Sequence, residues 1–162
     1  MSPNATDVFV SHSSRDEPYA EVLAGFLCET IDFEPGEVVC TSAVGYGLEF
    51  GTKFERQLRK CIEASEVVVP IISRNSLSSV FCVFEMGAAW GQKIPIMPIL
   101  VPEFEPSELP RPISSLQYFL WTNESAWIQF VSVVARITHS DVRVKPARVA
   151  VLAKRIAAHR AA

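Results

Sequence analysis

One carboxylate stands alone in the stretch Ser78 to Trp90, SSVFCVFEMGAAW, where Glu85 is the only charged residue between Asn75 and Gln92. Burying an ionised carboxylate without partners costs several kcal/mol or drives its pKa upward. A lone Glu in such a run therefore either points to water or looks into a polar cleft. In a cleft it is a reagent, a perturbed carboxylate of the kind used for acid–base or charge-stabilising chemistry. The segment is too long, and too rich in Ala, Met, Phe and Trp, for a single strand, and it reads as a largely buried helix. At helical spacing Ser78, Cys82, Glu85, Ala89 and Gln92 share a stripe, which is equally compatible with a plain solvent-facing edge.

Other chemistries find little support. Gly45, Gly47 and Gly51 follow a strand and precede a helix, but their G-x-G-x-x-x-G spacing is one residue too long for a dinucleotide fingerprint and reads as a turn-rich loop. No phosphate-binding G-x-x-x-x-G-K-[ST] run and no G-x-S-x-G nucleophile elbow occurs. Cys28, Cys40, Cys61 and Cys82 form no C-x-x-C pair, and His12, His139 and His159 are scattered, so neither a disulfide framework nor a metal site is expected. The cysteines read as buried thiols of a reducing compartment. A receiver-type magnesium pocket would need clustered Asp residues at strand ends, where this chain has Ser11, His12, Ser73 and Asn123.

The elements that must position Glu85 alternate. Asp7–Ser11 reads as a buried first strand, His12–Asp16 as a polar loop ending in N-cap chemistry, and Glu17–Ile31 as a helix with Pro18 in its first turn. Val38–Thr41 is a short strand, Ser42–Gly51 a glycine-punctuated loop and Lys53–Ala64 an amphipathic helix. Val67–Ser73, VVVPIIS, has the continuous apolar character of a central parallel strand, although Pro70 removes a ladder donor. The Glu85 helix is expected to stop at Gly91. Ile94–Val101 and Leu116–Thr122 are further strands, and Ser125–Thr138 is a helix with Trp127, Phe130, Val131 and Val134 inward. Five alternations imply a doubly wound α/β domain with a parallel sheet covered on both faces. Ligands in such sheets bind beyond the carboxyl ends of the strands, which selects His12–Asp16, Ser42–Gly51 and Ser73–Ser79 as site loops.

The chain has 162 residues, the size of one domain. Its apolar runs are short and broken by charge, well below the ~18 residues of a membrane helix. The start, MSPNATDVFV, lacks the build of a signal peptide, and a cytoplasmic location is expected. Charge is uneven: 18 acidic and 9 basic residues lie before Arg143, against 0 and 6 from there on. The acidic body argues against nucleic-acid binding. Residues 1–6 read as a flexible N-terminus, 7–138 as the folded domain, and 139–162 as a basic linker or docking helix toward another domain or copy, with Val149, Leu152 and Ile156 at helical spacing.

Taken together, DVFVSHSSRD, CTSAVGYGLEFG followed by FERQLRKCIEAS, and VVVPIISRNSLSSVFCVFEMGAAW resemble a Toll/interleukin-1 receptor (TIR) domain of bacterial type, over roughly Asp7 to Ile137. The third piece is the most specific. The resemblance implies a flavodoxin-like sheet of five parallel strands, with Ser42–Gly51 as the family's BB loop. It also implies cleavage of NAD⁺ between nicotinamide and ribose, by a glycohydrolase or cyclase with no cofactor beyond the substrate. The family's catalytic glutamate falls on Glu85 and the preceding aromatic on Phe81, beside Cys82. The nucleotide-lining loop falls on His12, Ser13, Ser14 and Arg15, and the BB loop adds Ser42 and Tyr46. Some members carry an aromatic followed by arginines after the first strand, and this chain departs from that pattern with His12, Ser13 and Ser14 before its single Arg15.

One carboxylate suits the implied reaction. Glycoside hydrolysis usually needs a second, acidic carboxyl to protonate the leaving oxygen. Nicotinamide leaves as a neutral molecule from a cationic pyridinium, so one Glu that holds the ribose hydroxyls and stabilises the growing positive charge is enough. Two functions follow from the resemblance. One is an NAD⁺-consuming effector of bacterial anti-phage defence, activated by self-association through residues 42–51 and triggered by a sensor domain or partner protein. The other is a non-catalytic TIR-to-TIR interaction module. Neither involves direct nucleic-acid or membrane binding.

Overall fold

The structure, a computed structural model, describes residues 6–41 and 52–161, and the side chains of the second stretch from residue 55 on. Five strands, β1 (Val8–Ser11), β2 (Val38–Cys40), β3 (Val67–Ile72), β4 (Ile99–Leu100) and β5 (Phe119–Leu120), form one parallel sheet in the order β2-β1-β3-β4-β5. Six helices complete the described fold: α1 (Glu17–Thr30), α2 (Thr52–Glu63), α3 (Arg74–Leu77), α4 (Val80–Gly91), α5 (Glu124–Ile137) and α6 (Pro146–Ala158). The expected doubly wound α/β architecture is present. The chain leaves β1 toward β2 on one side and returns to β3 on the other, so the carboxyl ends of β1 and β3 meet at the switch point where such sheets bind ligands.

Alternate side chains of a strand face opposite layers, and the sequence uses this period. Val8, Val10, Val67, Val69 and Ile71 enter the large core with α1, α5 and α6, whereas Phe9 and Val68 meet Leu58 and Ile62 of α2 and Ala89 of α4 on the other face. The expected inward residues of α5, Trp127, Phe130, Val131 and Val134, are all buried. Edge-to-face contacts join Trp121 to Trp127 and to Tyr19, with ring centroids 5.2 and 4.7 Å apart.

Prolines explain why β4 falls short of its apolar run, whereas β5, expected over Leu116–Thr122, covers only Phe119–Leu120 with no proline in that run. Expected over Ile94–Val101, β4 contains only two residues, preceded by an isolated bridge between Val68 and Ile96, because Pro95 and Pro98 cannot donate to the ladder. Val68 and Ile72 turn their backbone groups toward this chain, so the missing donor of Pro70 faces the same gap in the pairing. The centre of the sheet thereby tolerates a proline. Helix α4 ends at Gly91 as expected, and Lys93, with φ of 60°, takes the left-handed position beyond it. It closes a Schellman turn through Lys93 N–H to Trp90 C=O and Ile94 N–H to Ala89 C=O.

Three expectations differ from what the structure shows. The C-terminal stretch is helical, but it docks on its own domain. Val149, Leu152 and Ile156 are buried in the main core, and the Trp121 indole donates to the Ile156 carbonyl at 2.8 Å. Its basic charge answers the acidic body, with Arg155 2.8 Å from Glu29 and Arg143 3.4 Å from Asp32. These exposed pairs orient the helix more than they stabilise it. Of the expected flexible N-terminus only Thr6 lies within the described residues, and it is buried. Cys28, expected among buried thiols, is exposed. No described helix is long and apolar enough to cross a membrane.

Candidate active site

Each strand at the switch point ends in a hydroxyl. Ser11 closes β1, Thr41 follows β2 and Ser73 follows β3. After β3 the chain forms the one-turn helix α3, started by a reciprocal capping box in which Ser76 N–H donates to Ser73 Oγ at 3.0 Å and Ser73 N–H to Ser76 Oγ at 2.9 Å. Ser79 then caps α4 by accepting from Cys82 N–H at 3.4 Å. This double start turns α4 so that Cys82, Glu85, Met86 and Ala89 face the protein. Cys82, Glu85 and Ala89 of the expected stripe are thus buried, whereas Ser78 and Gln92 at its two ends are exposed, as is the hydrocarbon of Val80, Phe84 and Trp90.

Glu85 has no accessible surface. Ser11 Oγ donates to its Oε2, and Thr41 Oγ1 lies 3.4 and 3.5 Å from its two oxygens. Thr41 Oγ1 also lies 3.3 Å from the Val10 carbonyl and 3.4 Å from the His12 amide, which donates to it. Burial raises the Glu85 pKa from 4.5 to about 7, against the opposing effect of the Ser11 and Thr41 hydroxyls. A carboxyl that ionises around neutrality and is oriented by two hydroxyls is equipped to meet positive charge on a ligand.

A second tie shapes the rim. Asp16 is buried and accepts from the Ser73 hydroxyl and, at 2.9 Å, from the Asn75 amide. Sequence reading expected N-cap chemistry at the end of this loop, but Asp16 makes no side-chain cap for α1. Its oxygens instead lock the loop after β1 to the loop after β3. Ser13 caps the 3-10 turn Ser14–Asp16 by accepting from Arg15 N–H at 3.4 Å.

Of the residues expected to line the site, Cys82 is buried beside Glu85, and burial, followed by the charges of Glu85 and Asp16, raises its thiol pKa. His12 is also buried, with Nδ1 2.7 Å from the Ser13 carbonyl. Phe81 is half exposed at the start of α4, while Ser14 and Arg15 face solvent. Ser42 and Tyr46 lie outside the described residues. Sequence reading missed Ser11 and Thr41 as partners of Glu85. Their signal was available, since each is the polar residue at the carboxyl end of a strand.

A family profile described as TIR domain matches residues 8–132. An uncharacterized protein, YddK, of Bacillus subtilis (strain 168) is 28% identical over 98 residues, which are 60% of this chain and 36% of that protein. The match thus spans about a third of the relative's length. Among solved structures, the TIR domain of the Toll-related receptor TRR-2 from Hydra magnipapillata matches with a TM-score of 0.60 at 18% identity, covering 83% of this chain and 98% of that one. The TIR domains of the activated Roq1 resistosome, which recognises the pathogen effector XopQ, match with a TM-score of 0.49 at 18% identity over 94% and 83% of the two chains.

Proposed function

The chain belongs to the TIR domain family, and from that premise we propose that it cleaves the bond between nicotinamide and ribose in NAD⁺, with Glu85 as the catalytic residue. The observation that carries this reading is the buried Glu85 carboxyl, held by Ser11 and Thr41 at the switch point of the sheet with a pKa near neutrality. In the reaction the bond from the anomeric carbon to the pyridinium nitrogen breaks, and its electron pair leaves with neutral nicotinamide. The ionised Glu85 stabilises the cationic sugar until water adds to the anomeric carbon and releases a proton. In the glycohydrolase form of the reaction ADP-ribose is the product. No second carboxyl is needed, because the leaving group requires no proton.

The absence of accessible surface at Glu85 suits a site that is off in the isolated chain and rearranges on assembly. We place the activating contacts at residues 42–51 of a neighbouring copy, with a sensor domain or partner protein as trigger and anti-phage defence in a bacterium as the setting. The exposed apolar face of α4 favours a second reading, a non-catalytic interaction module.

The test is NAD⁺ consumption with nicotinamide release at low and high protein concentration, for the parent and for Glu85→Gln. Turnover that rises steeply with concentration and is lost in Glu85→Gln supports the enzyme. Equal turnover in the variant refutes the role of Glu85, and no turnover in assembled parent protein leaves the interaction module.

A further inference from the structure

Between β4 and β5 the chain passes through a proline-rich segment that Phe104 and Leu109 anchor in the main core. Arg74 of α3 grips the same segment from outside, with Nε and Nη2 2.9 and 2.6 Å from the two carboxylate oxygens of Glu108. Held in this way, the segment stands beside α4 without closing on it, and a cavity of 370 Å³ is left. Leu77, Val83, Met86 and Trp90 line it from α3 and α4, and Pro110 and Ile113 from the segment. Gly87 belongs to the same lining, and a Cβ there would touch nothing within 4 Å. Packing inside this chain therefore does not require glycine at that position, and its effect is to keep the space open.

The cavity has the size of a small-molecule site. Val83 to Trp90 covers about 10 Å of helix, so the space is elongated along α4. At about 30 Å³ per non-hydrogen atom, the share of a water molecule in its liquid, it holds roughly a dozen atoms. An extended peptide would need partners for its backbone groups. The walls supply few, because the amides of α4 are engaged along the helix and Pro110 and Pro112 have no N–H. A hydrocarbon chain has no such need. Arg111 completes the lining and is exposed. It forms no ion pair among the described residues, and Glu108, the carboxylate preceding it most closely in the sequence, is taken by Arg74. A guanidinium left open at the edge of an apolar cavity complements a carboxylate head, which it can hold through two parallel bonds.

We propose that this cavity is a binding site for a free medium-chain carboxylate, with the chain lying along α4 and the head at Arg111. Its occupant packs against Met86, the residue that follows Glu85, on the helix that carries the candidate catalytic carboxyl. The site is separate from the hydroxyls at the strand ends, since none of Ser11, Thr41 and Glu85 lines it.

Isothermal titration of the full-length chain with hexanoate, octanoate and decanoate tests this. Each added methylene should tighten binding about fourfold, the equivalent of ~0.8 kcal/mol. Arg111→Gln should weaken decanoate at least fivefold and leave 1-decanol unchanged, because only the charged head uses the guanidinium. Gly87→Leu, which projects into open space, should weaken both at least tenfold with unchanged circular dichroism. No binding of decanoate overturns the proposal, as does affinity independent of chain length. Decanoate binding that survives Gly87→Leu, or that falls no more than 1-decanol binding in Arg111→Gln, overturns it too. Flotation with phosphatidylglycerol vesicles that Gly87→Leu abolishes, without binding of free decanoate, overturns it in favour of acyl chains in a membrane. None of these readouts uses NAD⁺, so failure of this site and failure of the enzymatic reading are seen separately.

Discussion

Replacing Glu85 with Gln should stabilise the fold above neutral pH while removing the reagent. The folded chain holds this carboxyl at a pKa of about 7, against 4.5 for an unperturbed glutamate. Between those values the folded state binds more protons than the unfolded state, so stability falls as pH rises through the window, and the loss is complete above pH 7. The distance from 4.5 to about 7, at ~1.4 kcal/mol per pH unit, makes ionised Glu85 a burden of about 3 kcal/mol in alkaline solution. Gln has no charge to bury, and its amide oxygen accepts from Ser11 and Thr41. Imperfect pairing of the new NH₂ group takes back about 1 kcal/mol. The expected net gain is about 2 kcal/mol at pH 8.5, with a loss of about 1 kcal/mol at pH 5, where Glu85 is already neutral. For a chain of this size 1 kcal/mol moves the melting temperature by roughly 2–4 °C. Thermal unfolding should therefore place the variant about 4–8 °C above the parent at pH 8.5 and slightly below it at pH 5. A difference independent of pH, or a variant less stable at both values, would refute the reasoning, because Glu85 would then ionise as an ordinary surface glutamate does.

Other perturbations address its neighbours. Because the Ser11 hydroxyl favours the ionised form of Glu85, the acidic limb of kcat/KM for NAD⁺ cleavage should lie near pH 7 in the parent and move upward in Ser11→Ala; an unmoved limb detaches Ser11 from the reactive carboxyl. Asp16→Ala should cost about 2 kcal/mol in urea unfolding, since it leaves the buried Ser73 hydroxyl without its acceptor; a cost below ~0.5 kcal/mol would mean that the tie between the two loops contributes nothing. Trp121→Phe removes the bond to the Ile156 carbonyl and should cost about 1–3 kcal/mol with faster amide exchange along α6; unchanged exchange there would contradict the docking of that helix.

Much of the fold was legible in residue pattern. Val67–Ile72 is apolar on every residue and became the central strand, and the helix now α5 kept its four inward residues. Where the reading slipped, a pairwise decision was at work. The run Ile94–Val101 looks like one strand, yet only a partner strand reveals that Pro95 and Pro98 break its ladder. The basic tail looks like a linker, because its apolar face is small and its charge opposite to that of the body. Both features turned out to match the surface of α1, with Arg155 meeting Glu29 and Leu152 entering the core.

At the site the division is clearer still. Sequence alone determined that one carboxylate would sit on an uncharged helix after the third strand, and that the strand ends would carry hydroxyls and no acidic cluster, because those are properties of residue type and period. It left open whether Glu85 faced water or the sheet, since a helical stripe can be rotated either way. Tertiary structure decided this through the two successive caps at Ser73 and Ser79, which set the start and rotation of α4, and through Ser11 at the end of β1 and Thr41 just after β2, 74 and 44 residues away in the chain. Burial raises the Glu85 pKa toward neutrality against the opposing effect of those two hydroxyls, and burial is a property of the assembled layers that no local pattern encodes.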